Sequence, residues 1–205
     1  FIFCEAIYTQ NGKKKKINFN KNNYPNFKDR IVHIIVDKEP VNLFKVGELN
    51  ESNNSLFRLN AAKRIEKQRN AIISYFDKNN DDDWIIYSDS DEIPDLVKTD
   101  LKKINKKIVL FKQKVFHYKF NLVLESHDWY GSKACRFKDL KSISKLRNIK
   151  TKKYNWWRLD TFFKNDKFID LRIIDEGGWH FTELKSAQDI YIKHKNDEHH
   201  DEFDL

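Results

Sequence analysis

The sequence predicts an α/β domain in which a mostly parallel sheet is flanked by helices, because strand-like and helix-like segments alternate along the chain. Short β-branched runs indicate the strands, such as "IVHIIV" at residues 31–36. Apolar residues spaced for one helix face indicate a helix at about residues 59–77. The 205 residues contain no internal repeat and no low-complexity linker, so we expect one domain over residues 1–205.

Turn signals separate the remaining elements. The first apolar run stops at "TQNG" (residues 9–12), and the β-branched run stops at Asp37, shortly before Pro40. A polar stretch at residues 41–57 reads as a loop, and residues 79–83 read as a turn. The predicted elements, in chain order, are strand 1–8, strand 30–37, helix 59–77, strand 84–87, helix 95–105, strand 107–118, strand 167–174 and helix 186–195.

Charge and cysteine content restrict the class of function. The net charge is +8, but 31 of the 39 basic residues are Lys and they are spread along the chain, which argues against dedicated nucleic-acid binding. No run approaches the roughly 20 apolar residues of a transmembrane segment. Cys4 and Cys135 match no metal or redox spacing and are expected to be free thiols. Free thiols favour a reducing compartment, and the Lys-, Asn- and Ile-heavy composition suggests an AT-rich bacterium or a large virus, so we expect a cytoplasmic protein of a bacterial or virus-infected cell.

The most informative segment is "SDSDEIP" at residues 88–94, directly after the apolar run at residues 84–87. Three carboxylates within four residues repel one another and raise one another's pKa unless a cation lies between them. A hard divalent ion prefers carboxylate oxygens and leaves positions open for substrate phosphates. The alternative is an acidic turn in which Asp91 caps a helix that starts near Pro94.

The sequence resembles glycosyltransferase family 17, which includes β-1,4-mannosyl-glycoprotein N-acetylglucosaminyltransferases. Four blocks carry the resemblance: "CEAIYTQNG" at residues 4–12, "IVHIIVDKEP" at 31–40, "RIEKQRN" at 64–70 leading into "SDSDEIP", and "GWHF" at 178–181 with "HDE" at 200–202 beyond it. The resemblance implies a GT-A type fold, with a Rossmann-like, mostly parallel sheet flanked by helices. An earlier strand–helix unit of the family, with an Asn–Glu pair, has no counterpart in these residues.

The resemblance also implies metal-dependent, inverting transfer of an N-acetylglucosamine-type sugar from a nucleotide diphosphate sugar, such as a UDP-sugar, to a glycan or glycoprotein acceptor. The cofactor would be Mn²⁺ or Mg²⁺. The implied metal ligands are Asp89, Asp91 and His180, with His200 as an alternative third ligand. The implied donor contacts are Glu5, Asp37, Arg69, Ser90 and Glu92.

Inversion requires a base that takes the proton of the acceptor hydroxyl at some distance from the metal. On sequence order the candidates are Asp175 and Glu176, and residues 121–131 are a competing source. Gly177 and Gly178 would allow the backbone to approach the donor closely. The expected contacts to sugar or acceptor are Asn121, Trp129 and Trp179.

Two other functions fit the same residues. A catalytically inactive carbohydrate-binding homologue would also use Trp and Asp side chains on an α/β scaffold. A metal-dependent phosphoesterase or nuclease would also use clustered Asp residues, since these suit two-metal phosphoryl chemistry. The sugar, the acceptor and the oligomeric state stay open at this point.

Overall fold

The computed structural model describes residues 1–47, 51–76, 80–151 and 170–197. The chain forms two compact units, one of residues 1–76 and 186–205 and the other of residues 77–185. Compact units need not fold separately, so one domain over residues 1–205 stays a prediction.

Strands and helices within the described ranges are short, apart from one long helix. The strands are β1 (Ile2–Ala6), β2 (Val32–Val36), β3 (Trp84–Tyr87), β4 (Glu92–Pro94), β5 (Ile108–Phe111), β6 (Lys114–His117), β7 (Lys133–Arg136), β8 (Leu171–Ile174) and β9 (Gly178–Thr182). The α-helices are α1 (Glu51–Asn70), α2 (Ile143–Asn148) and α3 (Ala187–His194). None of the helices in these ranges is long and apolar enough to cross a membrane.

The strands form three small sheets. In the first unit β1 and β2 pair in parallel, with Ile2 opposite Val32 and Ala6 opposite Val36. In the second unit one sheet has the order β3-β7-β5-β8 and another has the order β4-β9-β6. The pairs β3–β7, β5–β7 and β4–β9 are antiparallel, whereas β5–β8 and β6–β9 are parallel.

The predicted fold class is therefore wrong. Within the described ranges the protein is a mixed α/β structure with small, antiparallel-rich sheets and few helices, and these residues form no Rossmann-like, mostly parallel sheet flanked by helices. The reason lies in the connections, because parallel strands need crossovers that usually contain a helix. Residues 95–105 were expected to provide such a helix, but they form only a 3₁₀ turn at Leu101–Lys103.

Local side-chain hydrogen bonds explain why residues 95–105 do not form a helix. The carboxylate of Asp95 accepts from the backbone N–H groups of Val97 and Lys98, and Asp100 accepts from the N–H of Lys102. Such bonds offer the backbone an alternative to helical hydrogen bonds. The predicted strand 107–118 also divides at Lys112 and Gln113, and its halves β5 and β6 belong to different sheets.

β5 is one of the two inner strands of the four-stranded sheet, and all of its residues are buried. Ile108 and Leu110 pack on one side with Cys135 and Leu171, while Val109 and Phe111 pack with Ala134 in a second cluster. Full burial of a large aliphatic side chain contributes roughly 1.5–3 kcal/mol, so this strand supplies much of the unit's stability.

Both cysteines are free thiols, as predicted.

Gly177 and Gly178 join β8 to β9 and pack against the backbone of this chain. Gly178 has a φ of 131°, and a Cβ there would lie 2.0 Å from the carbonyl oxygen of Ile93. The carbonyl of Gly177 accepts from the N–H of Asp95 at 2.9 Å. Gly178 thus allows close approach to β4 and fixes how β9 lies beside that strand, whereas Gly177 packs against the backbone of Phe111 and Lys112 at the end of β5.

We predict that Gly178→Ala destabilises the fold by about 1–3 kcal/mol, because the added Cβ overlaps β4 and the backbone is left-handed. Urea unfolding followed by tryptophan fluorescence measures the change. An unchanged unfolding midpoint would contradict the tight packing of β9 against β4.

Candidate functional site

The centre of the candidate site is the buried carboxylate of Glu92, the first residue of β4. Its side chain has no solvent exposure. Oε1 accepts from Trp129 Nε1 at 2.9 Å and from Arg147 Nη2 at 3.1 Å, and Oε2 accepts from the backbone N–H of Asp89 at 3.0 Å. Glu92 therefore connects the acidic turn to Trp129 and to α2.

Asp89 forms an ion pair with Arg147. Its Oδ2 accepts from Arg147 Nε at 2.9 Å and lies 2.8 Å from Nη2, while its Oδ1 accepts from the Tyr87 hydroxyl at 2.5 Å. Arg147 thus bonds to two carboxylates at once, and both oxygens of Asp89 are engaged within the protein.

Asp91, Glu92 and His180 form a group with the composition of a metal site. Each offers one ligand atom, and these atoms all lie within 4.8 Å of one another. Glu92 is opposite His180 in the β4–β9 register, and His180 Nδ1 lies 3.8 Å from Asp91 Oδ1. Asp91 is the most accessible of the three, with 37% of its side chain exposed. Trp129 stacks on the His180 ring at a centroid distance of 4.5 Å and an angle of 17°.

A second layer of polar and glycine residues supports this group. The hydroxyls of Ser88 and Ser132 lie 2.7 Å apart, and Gln113 Nε2 donates to the Ser132 hydroxyl at 2.9 Å. At Gly131 a Cβ would lie 1.9 Å from Glu92 Oε1 and 2.4 Å from Trp129 Nε1. Only glycine therefore leaves room for the Glu92 carboxylate in its observed position.

Burial and the guanidinium of Arg147 shift the pKa values of the described site residues. Burial raises the pKa of Glu92, and the charge of Asp89 adds to the rise, although Arg147 and the hydrogen bonds from Asp89 and Trp129 partly oppose it. Burial alone would lower the pKa of Arg147, but Asp89 and Glu92 outweigh it and the pKa rises. Among the described residues, Arg147 is the cation bonded to both Asp89 and Glu92.

Comparison of the chain with protein-family models, with curated proteins and with solved structures gives no match. The resemblance to glycosyltransferase family 17 thus rests on the four sequence blocks.

The structure brings together five of the residues that the sequence singled out: Asp89, Asp91, Glu92, Trp129 and His180. Ser90 is exposed at the tip of the same turn. Trp179 lies on the opposite face of β9 from His180, because side chains alternate along a strand. Asn121 is exposed in a turn after β6.

Asp175 and Glu176 occupy an exposed turn between β8 and β9. Glu176 has a left-handed φ of 50° and lies 4.0 Å from Lys98 Nζ. Within the described ranges neither residue has a hydrogen bond or ion pair with the Asp91, Glu92 and His180 group, and the role of either as the base stays a prediction. The alternative ligand His200 lies outside the described residues.

The three predicted donor contacts at the start of the chain belong to the first unit. Glu5 Oε1 lies 2.6 Å from Lys15 Nζ, and the Glu5 carboxylate accepts from the backbone N–H groups of Asn18 and Phe19. Glu5 thus organises the Lys-rich turn at residues 13–19. Asp37 is exposed after β2, and Arg69 lies half-buried in the last turn of α1. A donor contact by any of the three stays a prediction.

Sequence reasoning missed Arg147 and Gly131. Both belong to rare types here, since the chain has eight Arg among 39 basic residues and five Gly among 205 residues. A rare Arg in a Lys-rich chain is a usable signal, because Arg forms two-pronged bonds to carboxylates that Lys cannot replace.

We predict that Glu5→Gln destabilises the protein at neutral pH by on the order of 1 kcal/mol. Partial burial would raise the pKa of Glu5, but the hydrogen bonds from Lys15, Asn18 and Phe19 outweigh it and lower the pKa below 4.5. The charged form therefore stabilises the fold above pH 4.5, and this contribution is lost as the pH falls through the folded-state pKa. Melting temperatures of both proteins should converge below that pKa, and a constant difference across the pH range would refute the assignment.

We predict that Gly131→Ala costs about 1–3 kcal/mol of unfolding free energy in the wild-type background, because the new Cβ overlaps the Glu92 carboxylate. The cost should be smaller in a Glu92→Ala background, where that carboxylate is absent. A double-mutant cycle by chemical denaturation measures the difference. Equal costs in the two backgrounds would show that Glu92 does not restrict residue 131.

Proposed function

We propose that this chain is a metal-dependent, inverting glycosyltransferase that moves an N-acetylglucosamine-type sugar from a nucleotide diphosphate sugar to a glycan acceptor. The observation that carries the proposal is the grouping of Asp91, Glu92 and His180 within 4.8 Å in the "SDSDEIP" and "GWHF" blocks. These are two of the blocks in which the sequence resembles glycosyltransferase family 17.

The ligand atoms of Asp91, Glu92 and His180 fit Mn²⁺. Carboxylate oxygens suit Mg²⁺, Ca²⁺ and Mn²⁺, whereas an imidazole nitrogen suits transition ions, so the mixed set favours manganese over magnesium. When bound, such an ion neutralises the charge that develops on a departing diphosphate.

Each neighbouring side chain has a distinct part in this proposal. Asp91 is the exposed ligand and faces the incoming donor, whereas Glu92 is held in place by Trp129 and Arg147. Trp129 packs on the His180 ring and so limits its rotation. Ser90, an exposed residue at the tip of the turn, would donate a hydrogen bond to a phosphate oxygen of the nucleotide sugar.

The number of metal-ligating clusters favours this function over a two-metal phosphoesterase or nuclease. Two-metal chemistry needs a second set of ligands about 4 Å from the first ion. The described part of the chain contains one group of three metal-ligating side chains.

The free thiols of Cys4 and Cys135 accord with action in the cytoplasm, where thiols stay reduced.

The test is manganese-dependent turnover of nucleotide sugars, with release of the nucleoside diphosphate as the readout. We predict that the wild-type chain hydrolyses or transfers from a UDP-sugar with Mn²⁺ and that Asp91→Asn lowers this turnover at least 100-fold. The neutral amide keeps the shape but removes an anionic ligand, so calorimetric titration with Mn²⁺ alone should also show weaker binding. The melting temperature should change little, because Asp91 is partly exposed.

Asp100→Asn is the matched control, since Asp100 is an exposed carboxylate of the same unit that pairs with Lys103. This variant should retain both turnover and Mn²⁺ affinity. Wild-type turnover by Asp91→Asn would overturn the metal assignment, and a wild-type chain inactive towards all nucleotide sugars would overturn the proposed function.

A further inference from the structure

His117 and Glu183 form a hydrogen-bonded pair that the site described above does not use. His117 is the last residue of β6, and Glu183 directly follows β9. His117 Nε2 lies 3.0 Å from Glu183 Oε2, and the side chains are 35% and 11% exposed. A buried carboxylate behind a half-exposed imidazole is the arrangement by which proteins orient a histidine base.

The backbone at this pair adopts an unusual conformation. Glu183 and Tyr118 both have left-handed φ angles, of 56° and 66°, although neither is glycine. Such residues persist only where the surrounding structure holds them, and they cluster at functional sites. The N–H of Tyr118 donates to the carbonyl of Thr182 at 3.2 Å, and the Tyr118 ring stacks on the His117 ring at 3.7 Å. The imidazole is thus held by Tyr118 on its face and by Glu183 at its edge.

The register of the β4-β9-β6 sheet places His117 near the metal-ligating group. His117 is opposite Thr182, and Val115 is opposite His180. Side chains alternate along a strand, so His117 and His180 share one face of the sheet, one row apart. The offset along the strands is about 7 Å and β9 lies between β6 and β4, so with strands about 4.8 Å apart the backbone of His117 lies roughly 12 Å from that of Glu92 on the same face.

This spacing fits the base of an inverting transfer. The acceptor hydroxyl attacks from the side opposite the departing diphosphate, so its base must lie several ångströms from the metal ligands. Asp175 and Glu176 lie before the first residue of β9, whereas His117 lies beside its last residue. His117 is thus a further candidate for the role that sequence order suggested for Asp175 or Glu176.

We propose that His117 is the general base of the reaction and that Glu183 is its positioning residue; this inference rests on the proposed glycosyl transfer. The Glu183 carboxylate accepts the Nε2–H bond, which leaves the imidazole lone pair on Nδ1. Nδ1 takes the proton of the acceptor hydroxyl while the hydroxyl oxygen forms a bond to the anomeric carbon of the donor sugar. The bond from that carbon to the diphosphate oxygen breaks, and the nucleoside diphosphate leaves with the electron pair. Glu183 stabilises the resulting imidazolium.

The experiment measures manganese-dependent release of UDP from UDP-sugars, with water or a glycan as acceptor. His117→Ala should lower kcat by about 10²–10⁴-fold. It should leave the donor KM and the calorimetric affinity for Mn²⁺ unchanged, and added imidazole should restore activity in a dose-dependent manner. Glu183→Gln should lower kcat by a smaller factor, and imidazole should not restore it, because the His117 ring is still present.

The matched control is His194→Ala, which removes a histidine from another histidine–carboxylate pair, with Asp197 at 3.2 Å. It should retain wild-type turnover and should not respond to imidazole. If His117→Ala does not fold, His117→Gln and Glu183→Gln serve in its place, with imidazole response measured on the former.

The outcomes separate the two proposals. A wild-type chain without manganese-dependent turnover overturns the proposed function and this inference together. An active wild-type chain with unchanged kcat in His117→Ala overturns the inference alone. Loss of kcat without imidazole rescue, or with a matching loss of Mn²⁺ affinity, also overturns it, because His117 would then act through the structure of the site.

Discussion

The bond between Arg147 and the two carboxylates of Asp89 and Glu92 is the interaction on which the candidate site depends. Glu92 is fully buried, and removing one partner of a buried ion pair typically costs about 3–5 kcal/mol because the other charge is left uncompensated. Arg147 is itself anchored through its backbone, since Lys133 Nζ donates to the carbonyls of Arg147 and Ile149 at 2.6 and 2.5 Å. A buried lysine of β7 thereby positions the helix whose arginine reaches the acidic turn.

This arrangement gives the three carboxylates of the turn different functions. Asp89 has both oxygens engaged by Arg147 and Tyr87, and Glu92 is held from three sides, so protein hydrogen bonds hold both carboxylates in place. Asp91 is the carboxylate left accessible to a ligand. In the proposed enzyme the first Asp of the pair would therefore maintain the turn, and the second Asp would meet the donor.

The parts predicted from sequence are those fixed by neighbouring residues. The apolar runs of β1, β2 and β3 and the helix α3 lie within the predicted ranges, and α1 begins eight residues before the predicted 59. Strand direction was not predictable, because an apolar run pairs equally well in either orientation. The strand β7 ("KACR") was missed because Lys133 is buried, with its Nζ bonded to the carbonyls of Arg147 and Ile149. A buried lysine does not fit the alternation of apolar and polar residues that indicates a strand. Asp89, Asp91 and Glu92 were found together because they are adjacent, whereas the contacts of Arg147 and Glu183 span 55–66 residues.

The register of β9 links the fold to the proposed chemistry. On this strand Gly178, His180 and Thr182 share one face, and Trp179 and Phe181 share the other. A slip of one residue would exchange His180 for Trp179 beside Glu92, and it would separate His117 from Glu183. Gly178 opposes such a slip, since its left-handed backbone fits against Ile93 only at this position. The single glycine that ends the β8–β9 turn thus sets the spacing between the metal-ligating group and the proposed base.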